Sequence, residues 1–454
     1  MKFLNLPAAA SRLLRLFHLS PLLFGAIMVA EVANAQQRAD LVIENITIVD
    51  IAAAELLESQ TILIADGVFV GVDNAGSVNV EAFVPSVDGQ NLYGIPGLAD
   101  MHVHLDADDL KRYIANGITT VLDLNGLPEA IAMRSRIEAG SLLGPRVYMS
   151  SPLLAGTAQN FSYQLVTNAE QARQAVLDIY AEGYDFIKVY DGLSEATYSA
   201  MVATARELGM PLLGHVPEAV GLQRVLDDQL LSIEHVEQIA RATVAHNFDA
   251  SRIPAIVAQI AAGSSAITPT LAVMEVLSAR RTQWFDQLFD RPQMIYTPNS
   301  IAPWWSSFRA PAQARGNLLQ TSAGGSSAEI EFYRALTRAL NDADVLLLAG
   351  TDTPNPLMIS GYALQHEFAA LSRAGLSNAE ILASATIDAA RHLNAANQFG
   401  DIKSGLRADM VLLRENPLVN IEALNMIAGV VVNGRWLDQD RISSLLSEVV
   451  ATRN

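Results

Sequence analysis

The chain has 454 residues, half of them hydrophobic and 17% charged, enough to bury a large core and too apolar for a disordered protein. A net charge of −18, with no run of Lys or Arg beyond the first few residues, argues against a nucleic-acid partner, which needs a basic face. The lack of cysteine excludes disulfides, thiolate metal ligands and a cysteine nucleophile, so any metal must sit on His, carboxylate or modified Lys.

Residues 1–35 read as a separate object. Lys2, Arg12 and Arg15 precede the short apolar run Leu19 to Ala30, and Ala33-Asn34-Ala35 has the small-x-small form of a cleavage site. Twelve apolar residues fall short of the roughly 20 needed to span a bilayer. The pattern predicts a signal peptide, a periplasmic or secreted protein starting near Gln36, and no stable membrane anchor after cleavage. No later segment is long and apolar enough to cross a membrane.

From Leu41 the sequence is strand-like, LVIENITIVDI and then TILIADGVFVGV, with Asp66-Gly67 as the turn. Near the other end, ADMVLL (408–413) and MIAGVVVNGRWL (426–437) read as strands, with Asn433-Gly434 as a hairpin turn. β-rich pieces at both ends predict one small composite β-sandwich, from 36–95 and 401–454. Between them, over 96–400, apolar runs alternate with helical patterns, as in a parallel α/β sheet. The runs are LADMHVH (98–104), ITTVLDL (118–124), RVYMSS (146–151), FIKVY (186–190), PLLGHV (211–216), LLSIEH (230–235), AITPTL (266–271) and DVLLLAGTD (344–352). Eight such units point to a closed (β/α)8 TIM-like barrel, and the length exceeds the roughly 250 residues of a bare barrel, as a second domain requires. Thr167 with Glu170 forms a candidate capping box, and Ser194 opens a helix that Gly209 ends. The stretch 275–330, with Trp304-Trp305, fits no βα unit and reads as an insertion above the barrel mouth.

Metal-ligand types fall where these runs end. His102 and His104 end the first run, Lys188 and His215 lie near the ends of the fourth and fifth, His235 closes the sixth, and Asp352 closes the eighth. Barrel enzymes place their active sites at that C-terminal face. Residues two apart in a strand share a face, so His102 and His104 can point at one ion. Four His, one Lys and one Asp suffice for two metals if the Lys carries a carboxylate. A single His is more often a hydrogen-bonded core residue, but an unpaired ammonium inside an apolar strand is costly, and the six together make a site.

These motifs resemble the amidohydrolase superfamily, in particular its imidazolonepropionase-related and Xaa-dipeptidase (prolidase)-like members. The matching pieces are PGLADMHVH (96–104), DFIKVY (185–190), GHVPEAV (214–220), SIEH (232–235), AGTD (349–352), ATIDAARHLN (385–394) and GDIKSGLRADMVLLRENPL (400–418). The resemblance covers nearly all of the chain beyond the leader and implies a barrel with a composite β-sandwich. It also implies that His102, His104 and Asp352 hold one divalent ion and His215 and His235 another, with N-carboxylated Lys188 bridging them. Zinc suits such ligands. Some relatives lack the lysine and use one metal, so a mononuclear site stays open, although Lys188 argues for two. Two ions would bring the pKa of a shared water toward about 7, and Asp352 would take its proton and pass it to the leaving nitrogen.

The function this implies is hydrolysis of an amide bond in a small molecule, a dipeptide or an N-acyl amino acid. The same site also suits a lactone, a cyclic amide or a deaminable ring, and a non-catalytic binding protein is the reading from another class. An exported protein is poorly placed for cytosolic catabolism, and all six ligands are retained. Tyr190, two residues past Lys188 on the same face, is a candidate substrate contact or a packed barrel tyrosine. His366, after Gly361, is a candidate substrate contact or a helix-start residue. His246, in the loop after the sixth run, and Trp304-Trp305 are weaker candidates, whereas Arg391 and His392 read as structural. The oligomeric state, a homo-oligomer included, is not readable from the sequence.

Overall fold

The structure, a computed structural model, describes residues 38–77, 83–245, 247–281, 283–310 and 327–451. The expected leader, His246 and part of the 275–330 stretch lie outside the described residues. Among the described residues no helix is long and apolar enough to cross a membrane.

Both ends of the chain enter one eight-stranded sheet. Its strands are β1 (Leu41–Asp50), β2 (Glu55–Ala65), β3 (Val68–Asn74), β4 (Ser86–Asp88) and β5 (Tyr93–Pro96), joined by three from the far end of the sequence. The order runs from those three through β5 and β1 to β2 and β3, with β4 beside β1. Leu41 and Ile43 face inward on β1; Asn45, at φ 58°, then inserts an extra residue, so the inward positions resume at Ile46 and Ile48. The sheet curls until Phe69 N–H donates to Leu406 O at 2.9 Å and Ala408 N–H to Gly67 O at 2.9 Å. Ile62, Ile64, Met410, Leu412 and Val431 fill the space enclosed.

The barrel begins with β6 (Leu98–Val103), β7 (Ile118–Asp123) and β8 (Arg146–Met149), all parallel. Two short strands, β9 (Leu154–Ala155) and β10 (Gln164–Leu165), lie in the loop that follows. A parallel bridge from Ser150 to Phe186 leads to β11 (Ile187–Val189), then to β12 (Leu212–Gly214), β13 (Ser232–Glu234) and β14 (Ala266–Thr268). The eighth run is not a regular strand. It closes the ring by a bridge from Leu347 to Ile267, a hydrogen bond from Met101 N–H to Ala349 O at 2.9 Å, and a bridge from Thr353 to Val103. Alternation sorts the side chains: Ile187 and Val189 pack outward among helices, while Phe186 joins Leu122, Leu213, Ala266 and Leu348 in a separate cluster. Lys188 therefore lies on the inward face above Phe186. The three remaining strands of the composite sheet are β15 (Met410–Leu413), β16 (Ile427–Val432) and β17 (Arg435–Asp438).

Several boundaries differ from expectation for local reasons. The helix Ala169–Glu182 is capped by Asn168, whose side chain accepts from Gln171 N–H, while Thr167 N–H donates to Gln171 Oε1 at 2.9 Å, so the capping pair sits one residue later than Thr167 and Glu170. Ser194 caps Glu195–Leu208 and Gly209 ends it at φ 67°. The seventh run stops at Thr268, and Leu271 already begins the helix Leu271–Ser278. Residues 439–451 are helical rather than β: Ile442, Leu445 and Val449 form one apolar stripe, and Lys111 pairs with Glu448 at 2.8 Å, docking this helix on Leu110–Ala115 of the barrel. In the described part of 275–330, short helical turns follow the helix Leu271–Ser278 and a long helix, Ser327–Asp342, begins at the far end, with Trp305 buried and donating from Nε1 to Pro354 O at 3.2 Å.

The two hairpin turns at opposite ends of the sequence meet in space. Asp66 and Gly67 take φ 50° and 78°, Asn433 and Gly434 take 48° and 75°, the geometry of two-residue hairpin turns. A Cβ on Gly434 would lie 2.8 Å from Gly67 Cα, whereas one on Gly76, also left-handed at φ 78°, would meet nothing. Gly76→Ala should cost about 1–2 kcal/mol from backbone conformation alone. Gly434→Ala should cost clearly more, and equal losses in equilibrium unfolding would contradict this contact.

Candidate metal centre

Each ligand type is delivered by the end of a barrel strand. His102 lies near the end of β6 and His104 just beyond it; Lys188 is on β11, while His215 and His235 immediately follow β12 and β13. Imidazole ring centroids are 5.5 Å apart for His102 and His104, 4.6 Å for His102 and His235, and 5.0 Å for His215 and His235. Asp352 reaches across: Oδ1 is 3.0 Å from His104 Nε2 and 3.4 Å from His102 Nε2, and Oδ2 is 3.9 Å from His235 Nε2. Ligand atoms of His102, His235 and Asp352 lie within 4.8 Å of one another.

Partners on the far side of the rings decide which nitrogen faces the centre. His102 Nδ1 is 2.8 Å from Glu234 Oε2, itself buried and held by Ser232 Oγ at 2.5 Å. His235 Nδ1 is 2.8 Å from Thr270 Oγ1. His215 Nδ1 is 3.3 Å from Asp191 Oδ1, which also accepts from Arg241 Nη2 at 2.8 Å. All three rings thus turn Nε2 inward, the arrangement in which a second group fixes a ligand's tautomer. The backbone is bent to permit it: His235, Thr270 and Asp352 are non-glycine residues at φ 67°, 50° and 56°. Such conformations cost about 1–3 kcal/mol each and persist where surrounding contacts over-determine them.

The electrostatics suit metal ligation. Burial and the nearby Lys188 hold the His102 imidazole well below its ordinary pKa, and burial, with other imidazoles nearby, does the same for His235, so both rings are neutral. Burial alone would raise the Asp352 carboxyl, but His102, His235 and His104 outweigh it and keep the group ionised. Lys188 is fully buried; burial pushes its amine down to about 8 against the opposing pull of Glu234 and Asp352. Its Nζ and His102 Nε2 have no hydrogen-bond partner among the described residues. Neutral imidazoles, an ionised carboxylate and an unpartnered amine on one centre fit divalent metal.

The remaining candidates divide. Tyr190 packs against His215 at 4.2 Å between centroids and against the half-exposed Phe161 at 5.7 Å, which puts it beside the cluster. His366 lies inside the helix Ala363–Ala374; its Nε2 accepts from Arg291 Nη1 at 2.8 Å, and it lines a cavity with Tyr362 and Gln365 instead of joining the four histidines. Glu367 accepts from Leu271 and Ala272 N–H at 3.0 and 2.7 Å, fixing the helix after β14. Arg391 pairs locally with Asp388 and His392 is buried. Sequence reasoning passed over Glu234, Thr270, Asp191 and Arg241. A carboxylate inside the apolar SIEH strand was the available signal for Glu234; the others come from loops or helices whose approach no spacing reveals.

A family model described as the amidohydrolase family matches residues 93–437. The chain belongs to the amidohydrolase family. It has a TIM barrel joined to a β-sandwich. Among solved structures it is similar to a bottromycin amidohydrolase, at 26% identity and TM-score 0.74, over 91% of this chain and 90% of that one. It shares the fold of a Xaa-Pro dipeptidase solved with methionine in its active site, at 18% identity and TM-score 0.65, over 88% and 99% of the two chains. Among curated proteins it matches adenine deaminase 2 of Desulfotalea psychrophila, 26% identical over 204 residues. That match spans 42% of this chain and 34% of the relative, about a third of its length.

Replacing Glu234 by Gln keeps the shape and removes the charge behind His102. Metal affinity in a competition titration should fall about 10–100-fold, as for other outer partners of ligating histidines. Unchanged affinity would mean that Glu234 does not tune His102.

Proposed function

We propose that this amidohydrolase is an exported enzyme with two divalent ions, zinc being the metal its ligands suit, that cleaves an amide bond in a dipeptide or N-acyl amino acid. The observation that carries the reading is the convergence of three inward Nε2 atoms, the Asp352 carboxylate and the unpartnered Lys188 Nζ on one centre. His102, His104 and Asp352 would hold one ion and His215 and His235 the other, with Lys188, N-carboxylated, contributing a bridging anion. Bound there, the ions supply Lewis acidity toward a carbonyl and toward water. Asp352, ionised and oriented by His104, accepts the proton of the attacking water and delivers it to the departing nitrogen. Tyr190, beside His215, orients the substrate from the barrel mouth. Glu234, Thr270 and the Asp191–Arg241 pair keep the imidazoles from turning away.

Likeness over about nine-tenths of both chains to an amidohydrolase and a dipeptidase supports amide cleavage. The adenine deaminase match favours a second reading, deamination of a ring, but covers only a third of that relative. A panel of dipeptides, N-acyl amino acids, lactones and adenine separates them. Turnover is expected on the first two classes, abolished by a chelator and restored by zinc; turnover on adenine or lactones alone would overturn the proposal. Export rests on the charged, apolar and small-residue order of positions 1–35. Amino-terminal sequencing of the native protein should find a start near Gln36, and an intact Met1 in the cytoplasm would refute it.

A further inference from the structure

At the end of the barrel remote from the metal ligands, a cavity of about 90 Å³ opens along the seam with the composite sheet. One water needs roughly 10–15 Å³ on this measure, so the space admits several waters or a small ion. The barrel contributes Thr119 and Arg146, at the beginnings of β7 and β8; the sheet contributes Arg407, Asp409 and Arg435. Three guanidinium groups therefore line one small space. The Arg407 guanidinium stacks 4.9 Å over Phe399 and donates from Nη2 to Thr120 Oγ1 at 3.1 Å, with Nε 3.3 Å from Asp409 Oδ2.

The cavity is rich in donors and short of acceptors. Arg146 Nε, Arg407 Nε and Nη1, and Thr119 Oγ1 are buried and make no hydrogen bond to the described protein atoms. Of the two carboxylates, Asp409 is already engaged, accepting from Asn433 N–H at 2.6 Å and facing Arg407, and Glu138 is exposed at the rim. Buried donors left without acceptors are destabilising, and planar guanidinium forks match the oxygens of phosphate.

We propose that this seam binds a small tetrahedral oxyanion of the phosphate type, held by Arg146, Arg407 and Arg435 and tying the barrel to the composite sheet. The site is separate from the candidate metal centre, which lies at the opposite end of the barrel. Its ligand is either free phosphate or the phosphoryl group of a monoester whose remainder projects through the open side.

Isothermal titration of the metal-loaded protein tests this with inorganic phosphate and, separately, with phenyl phosphate, each against chloride of equal ionic strength. Arg146→Gln and Arg435→Gln are compared with the wild type; Arg435 is exposed and Arg146 half-buried, so folding should survive, as circular dichroism would check. Phosphate reaching the metals contributes equally to all three proteins, so the difference isolates the seam. Each variant should lose about tenfold or more in affinity at one site, the effect of removing one charge-assisted contact. Tighter binding of phosphate than of phenyl phosphate would identify the free ion, and comparable binding the phosphoryl group. Identical isotherms for wild type and both variants would overturn the proposal and leave the seam a water-filled crease.

Discussion

A lysine, a carboxylate and four imidazoles share the interior end of an apolar barrel, and burying such groups costs several kcal/mol per ion unless each is compensated. Much of the surrounding structure serves that compensation. Glu234 and Ser232 make a buried chain behind His102, Thr270 holds His235, and Asp191 with Arg241 holds His215. The left-handed residues His235, Thr270 and Asp352 store strain where strands give way to the site. Lys188 is the member this network leaves without a hydrogen-bond partner at its charged end. If two cations bind as proposed, an ammonium facing them would be physically untenable, and a carbamate on the same nitrogen would turn the liability into a ligand.

The ring of strands had to close for any of this to assemble. Closure relies on single bridges and hydrogen bonds around the eighth run, where Asp352 N–H donates to His102 O at 2.7 Å and Thr351 donates to the buried Asp100. The backbone thus fixes the candidate ligands of the first and eighth runs, His102 and Asp352, against each other. Asp100, two residues ahead of His102, is buried with its carboxyl pushed up to about 7 by desolvation, and works as a backbone clamp.

Much of the barrel was legible because its signals are local. Period-two alternation in FIKVY put Lys188 and Tyr190 on one face, and Asp-Gly and Asn-Gly marked both hairpins. Capping was legible only to within a residue, since Asn168 and Thr167 are both competent caps and tertiary packing selects between them. The irregular eighth run and the helix at 439–451 depend on long-range contacts, which no window of sequence contains. The same holds for His366: its type and loop context suggested substrate, while its actual partner, Arg291, comes from a distant helical turn. The convergence of the candidate ligands was readable because strand ends in a barrel converge by construction, and most residues behind them were not, because Thr270, Asp191 and Arg241 approach from helices and loops.

The account stands or falls on Lys188 as the bridge between two ions. The direct measurement is metal content by elemental analysis of Lys188→Ala beside wild type, each demetallated and reconstituted with zinc and bicarbonate. The account predicts close to two ions per chain in wild type, fewer than two in the variant, an intact fold, and partial recovery when acetate or propionate fills the vacated bridge. A variant that keeps two ions and near-normal turnover would contradict it.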